Sequence, residues 1–256
     1  MTMALDIFEP HPRRLDPAKY PEYVSTHQCL IHGYYKWGHG YYHFITEILP
    51  SLLVLKKRGV GSPLLTFDTP FIPPLLDFFQ ISCPITMETQ FPPPLVVVSQ
   101  PYIECGIPSL EKIEIMREII SQKVVFEKRI GILIRRSETY RNIVNHDDVL
   151  EMLRHVYPGI EWRVFTAETI PTTAEWFSQA KIIVAPHGAG LTNMLFSPVG
   201  IPIVEFMPSS NPNMCYWHLS EMLRHSYHMI PCREENSNLW VDIADTARIL
   251  TQIPLV

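Results

Sequence analysis

The segment Lys181-Ile182-Ile183-Val184-Ala185, followed by Pro186-His187-Gly188-Ala189-Gly190-Leu191-Thr192-Asn193, restricts the fold more than any other stretch of the chain. A β-branched apolar run, a glycine turn and an apolar restart predict strand, turn and helix in that order. Gly188 and Gly190 remove Cβ atoms where the backbone turns sharply or a ligand comes close. A helix start presents unpaired N–H groups and the positive end of aligned peptide dipoles. The combination suits a phosphate or another anion. The competing account is a turn that needs its glycines only for packing.

The residues around this segment extend the same alternation. Strands are expected at 129–134, 161–165, 182–185 and 203–206. Helices are expected from Asn145 to Val156 (ended by Pro158-Gly159), after a cap at Thr172 or Thr173, at 191–195, at 217–225 and at 239–250. Strands alternating with helices at this spacing imply a parallel sheet covered by helices. The first half differs. Of 24 prolines, ten punctuate residues 60–110, so long helices are excluded there and short strands at 64–67 and 95–98 are expected. Before them, Phe44, Ile48, Leu52 and Leu55 place one apolar stripe on a helix from Tyr41 to Lys57. Pro50 should kink or split it. Ser109 to Lys123 is a second helix, with Ile113, Met116, Ile119 and Ile120 on one face. A boundary falls near 122–128, giving domains 1–125 and 126–256, with the last helix placed to pack back on the first domain.

A chain 46% hydrophobic and 18% charged fills a real core. A net charge of −5 with scattered basic residues excludes a nucleic-acid footprint. Five cysteines without a CxxC predict reduced thiols. No apolar run reaches the roughly 20 residues of a membrane span. Residues 1–14 lack a signal-peptide pattern, so a cytoplasmic protein is expected.

Three constellations carry candidate chemistry beside the glycine turn and its His187. Arg135 and Arg136 follow a strand directly, with Arg141 nearby. Ligands of open α/β sheets bind beyond the carboxyl ends of strands, and guanidinium forks match phosphate oxygens. A solvated basic loop is the alternative. Glu205, at a strand end, suits the two hydroxyls of a ribose, or else faces water. His39, His43 and Glu47 recur at four-residue spacing, which stacks them on a helical face. They suit a metal site, a general base in which His43 and Glu47 share a proton, or merely an aromatic-rich packing helix. The sequence holds no GxxxxGK[ST], no GxSxG, and no Asp-x-Asp at a strand end. P-loop and α/β-hydrolase chemistry are thereby excluded, as is the usual metal clamp on a sugar diphosphate.

These blocks together resemble glycosyltransferase family 61. The similar segments are Tyr41 to Pro50; Ile134-Arg135-Arg136-Ser137 through Arg141 and Asn145; Pro186 to Asn193; and Val204-Glu205-Phe206 with Tyr216-Trp217-His218-Leu219. His146 stands where the family pattern has an acidic residue. The resemblance implies a GT-B fold, two Rossmann-like domains facing a cleft, and inversion at the sugar carbon with no required metal or cofactor. The donor would be a UDP-sugar, UDP-xylose first and UDP-N-acetylglucosamine next, and the acceptor a glycan or glycoprotein hydroxyl. His43 and Glu47 would supply the base. Arg135, Arg136, Arg141, His187, Gly188, Ala189, Gly190, Asn193 and Glu205 would hold the nucleotide sugar. The lack of a secretory signal points to a bacterial or viral member. The competing functions are a non-catalytic nucleotide-sugar or glycan-binding module and a metal-dependent hydrolase built on His39, His43 and Glu47.

Overall fold

The computed structural model describes residues 28–32, 37–57, 59, 64–83, 85–86, 95–98, 108–136, 140–210 and 212–255. Residues 1–14 and the prolines at 92–94 and 101 lie outside them. The chain divides into two compact units, Met1–Met116 and Arg117–Val256.

The first unit holds a small parallel sheet of β1 (Gln28–His32), β2 (Leu64–Leu65), β3 (Ile85–Thr86) and β4 (Leu95–Val98), in the order β3-β2-β1-β4. The expected helix at 41–57 forms, but Pro50 does not split it. An α-turn at Tyr41–His43 leads into a π-helical stretch at Phe44–Ile48, which continues as α1 (Leu49–Lys57). The Leu49 N–H bonds the Phe44 carbonyl, five residues back. The widened turn relieves the clash of a proline ring with the carbonyl four residues earlier. All four residues of the expected stripe are buried. A short helix, α2 (Ile72–Phe78), forms in the proline-rich region because its prolines sit in the first turn, where no N–H is missed. The helix expected from Ser109 is α3 (Leu110–Ser121).

The second unit is mixed α/β. Its elements are β5 (Ile130–Ile134), α4 (His146–Val156), β6 (Glu161–Phe165), α5 (Ile170–Ser178), β7 (Ala180–Pro186), a 3-10 helix (Ala189–Phe196), β8 (Pro202–Pro208), α6 (Cys215–Met222), β9 (Ser226–Glu235), β10 (Asn238–Trp240) and α7 (Ile243–Leu250). The six strands run in the order β10-β9-β8-β7-β5-β6, parallel except for the β10–β9 pair. Gly131 faces Trp162 in register, and a Cβ there would lie 2.7 Å from the indole. Leu133, Val149, Leu153, Val184, Val204, Phe206 and Leu250 build one apolar core. The last helix packs into this core, and the Tyr157 hydroxyl donates to the Leu250 carbonyl at 2.7 Å.

Several local expectations change. Thr169, rather than Thr172 or Thr173, caps α5, because Pro171 occupies its first turn. The helix expected at 217–225 ends at Met222, where Arg224 turns into the left-handed region (φ 57°). Leu239 belongs to a strand, so the last helix starts later.

Asn145 does not cap α4 with its side chain. Its amide instead clasps the Val241 backbone, donating to the carbonyl at 2.9 Å and accepting from the N–H at 3.1 Å. Beside it, the Arg141 N–H bonds the Ser237 carbonyl and the Val144 N–H the Leu239 carbonyl. The segment 141–145 is thus fastened along 237–241. Asn145→Ala strands two buried backbone groups and should lower unfolding free energy by about 1–3 kcal/mol in denaturant titration.

Candidate functional site

Register brings three polar side chains to one face of the second unit's sheet. Ala185 pairs with Glu205, and Ile203 with Tyr227. Side chains alternate along a strand, so His187, two residues beyond Ala185, shares a face with Glu205. Tyr227 is a diagonal neighbour on the same face, within reach of a long side chain. Glu205 does not face water; it is 0% exposed. One of its oxygens lies 2.5 Å from His187 Nδ1, and the other accepts from the Tyr227 hydroxyl. The edge of Tyr216 meets the His187 ring at 5.2 Å between centroids. Burial, and then the Glu205 charge, push the Tyr227 phenol far up, so it remains a donor. The same two causes push the Cys215 thiol up to about 12, partly offset by the nearby Arg141 charge.

Arg136 reaches the glycine turn. Its Nη1 donates to the His187 carbonyl at 3.2 Å and its Nε to the Tyr140 carbonyl at 3.1 Å. A Cβ on residue 188 would lie 1.7 Å from Arg136 Nη1. The guanidinium lies where a Cβ of residue 188 would stand, so a side chain there would displace it, while the φ of 162° is itself ordinary extended geometry. Arg136 and Arg141 both stack on the Tyr140 ring, at 5.0 and 4.9 Å. Arg135, one residue earlier, takes another direction. It is half-exposed and lies 3.5 Å from Asp147. Ala189 and Gly190 open the 3-10 helix at the surface, and Asn193 is buried within it.

The far end of that helix is anchored by Arg117, whose Nη1 donates to the Leu195 and Ser197 carbonyls at 2.8 and 2.7 Å. The Ser197 hydroxyl donates to the Met194 carbonyl, so it accepts from His225 Nε2 at 3.2 Å. His225 Nδ1 is buried without a partner. Burial pushes this histidine down to about 3.

In the first unit, Glu47 is 1% exposed and lies 2.7 Å from His43 Nδ1. The π-helical stretch begins directly after His43 and contains Glu47. The His43 side chain is 22% exposed and its ring stacks on Trp37 at 6.1 Å. Burial lowers Lys112, while the charges of Glu47 and Glu111 raise it, which places its ammonium within electrostatic reach of Glu47. His39 instead meets Phe67 edge-on at 5.4 Å. Among the described residues, no group of three or more His, Cys, Asp or Glu is placed to hold a metal ion, so the His39–His43–Glu47 metal site does not form.

Tyr227 and Tyr140 were not singled out from sequence. Tyr140 stands between two arginines, which was the available signal. Tyr227 lies on β9, a strand not expected from sequence.

The second unit is thus a mostly parallel α/β sheet with arginines and a glycine turn beyond its strand ends. The family can be stated directly. The chain belongs to glycosyltransferase family 61, whose model, described as Glycosyltransferase 61, matches residues 41–204. No curated protein matches the chain. Membership suggests a transferase with a nucleotide sugar and a glycan acceptor as partners. No helix among the described residues is long and apolar enough to cross a membrane.

His225 should leave a signature on stability. The unfolded chain binds its proton below the ordinary value of 6.5, whereas the folded chain does so only near 3. Its contribution is therefore complete above 6.5 and lost as pH falls toward 3. Thermal unfolding midpoints should decline across that window, and His225→Gln should reduce the slope. An unchanged slope would contradict this assignment.

Proposed function

We propose that the chain is an inverting, metal-independent glycosyltransferase of GT-B type. It would move a sugar from a UDP-sugar, UDP-xylose first and UDP-N-acetylglucosamine second, to a hydroxyl of a glycan or glycoprotein. The observation that carries this reading is the Arg136 guanidinium lying against the Cβ-less backbone of Gly188, with Arg141 on the same tyrosine. Two guanidiniums at a strand-end turn suit a leaving diphosphate, whose developing charge must be stabilised as the bond breaks.

Inversion is a single displacement. The acceptor oxygen forms its bond to the anomeric carbon while the bond to the diphosphate oxygen breaks on the opposite face. The hydroxyl proton goes to a base, and His43 suits that role. The buried Glu47 carboxylate at its Nδ1 would orient the ring and balance the positive charge it gains. The amides of Ala189 and Gly190 would add donors to the diphosphate. Arg135, turned toward Asp147, stands second to Arg136. Glu205, with both oxygens bonded to protein, serves this reading better as a partner of His187 than as a ribose ligand.

A panel of nucleotide sugars tested by thermal shift should pick out the donor, since a ligand of the folded state raises its stability by mass action. Donor hydrolysis in the presence of a chelator then tests turnover and metal independence together. Binding without turnover would make the chain a nucleotide-sugar-binding module instead. Arg136→Ala should weaken UDP binding roughly tenfold to a hundredfold in calorimetry, the loss of hydrogen bonds to a charged group. Unchanged affinity would remove the diphosphate assignment. His43→Ala and Glu47→Gln should each reduce turnover by about 10²–10⁴. If both keep full turnover, the base lies elsewhere.

A further inference from the structure

We propose that Glu205 is a positioning residue that fixes which ring nitrogen of His187 carries hydrogen, so that His187 Nε2 accepts from a hydroxyl of the donor sugar. The sugar contact rests on the nucleotide-sugar reading above; the tautomer does not.

The argument follows the hydrogens. Tyr227 is a donor to Glu205, because burial and the carboxylate charge both hold its phenol protonated. One carboxylate oxygen is thereby occupied. The other lies 2.5 Å from His187 Nδ1 and has only a lone pair to offer. Nδ1 must therefore carry the hydrogen. In a neutral imidazole the opposite nitrogen is then an acceptor. Nε2 makes no hydrogen bond to any described residue. Tyr216 lies against the ring, which hinders its turning to exchange the two nitrogens.

A bare lone pair repels a phosphate oxygen and accepts from a hydroxyl. Guanidiniums have the opposite preference, since they only donate. The site therefore separates its ligand chemically. Arg136 and Arg141 suit the diphosphate, and His187 Nε2 suits the sugar. Glu205 sets that division without touching either.

The test has one arm free of ligand and one with it. In ¹⁵N-histidine NMR of the whole chain, above the ordinary histidine titration range, His187 should show a protonated Nδ1 and a bare Nε2. Its signal is assigned by its loss in His187→Gln. Tyr227→Phe leaves a carboxylate that can still only accept, so it should keep that tautomer. Glu205→Gln should invert it. The amide oxygen would accept from Tyr227 and turn its NH₂ toward Nδ1. A wild-type Nε2–H, or the wild-type tautomer retained in Glu205→Gln, overturns the assignment.

In calorimetry, His187→Ala should weaken the preferred UDP-sugar about fivefold to tenfold, one hydrogen bond's worth, and leave UDP unchanged. Glu205→Gln, which would turn Nε2 into a donor, should act in the same direction and less strongly. Equal losses for UDP and UDP-sugar would put His187 on the phosphate and overturn the sugar contact. If neither ligand binds the wild-type chain, the nucleotide reading fails and takes the sugar contact with it, while the tautomer result stands on its own spectrum.

Discussion

A carboxylate with no exposure to water is costly unless every lone pair meets a donor. Glu205 sits in β8, a strand whose seven residues are all buried. It tolerates that place because β7 supplies His187 on one side and β9 supplies Tyr227 on the other. Three adjacent parallel strands are therefore tied by one charge, and slipping any of them by one residue would turn a partner to the opposite face. The glycine turn inherits its position from the same constraint. His187 opens the turn, its carbonyl receives Arg136, and Gly188 makes the room.

The first unit solves a related problem differently. Glu47 is buried on a helix, and His43 on the same helical face lies beside it. Widening the helix at 44–48 accommodates Pro50 and keeps His43 beside Glu47. The two histidine–carboxylate pairs differ in access. His43 keeps a 22% exposed side chain, whereas that of His187 is 7% exposed. The more open pair suits exchange of a proton with an incoming group, and the closed pair suits a fixed contact.

The alternation of the second half was legible because each parallel strand reads as a short β-branched run between glycine or proline breaks. The arginines and the glycine turn were legible for the same reason, since they mark strand ends. What could not be read was which arginine reaches the turn. Neighbouring residues on extended backbone point opposite ways, and only the fold reveals that Arg136 faces Gly188 while Arg135 faces Asp147. Strand β9 was hidden by Pro231, a residue that argues against a central strand. It is tolerated because β10 pairs only with 233–235, which leaves that edge of β9 open at the proline. Tyr227 was lost with the strand. Asn145 read as the first residue of a helix, but Val241 offers its side chain a donor and an acceptor at once.

The fastening of 141–145 along 237–241 has a wider consequence. It joins the loop that carries Arg141 to a chain segment almost a hundred residues later, just before the closing helix. Ligand-edge geometry and the C-terminal part of the fold thus become one mechanical element. Loosening the segment before the last helix would therefore be felt at the backbone of Arg141.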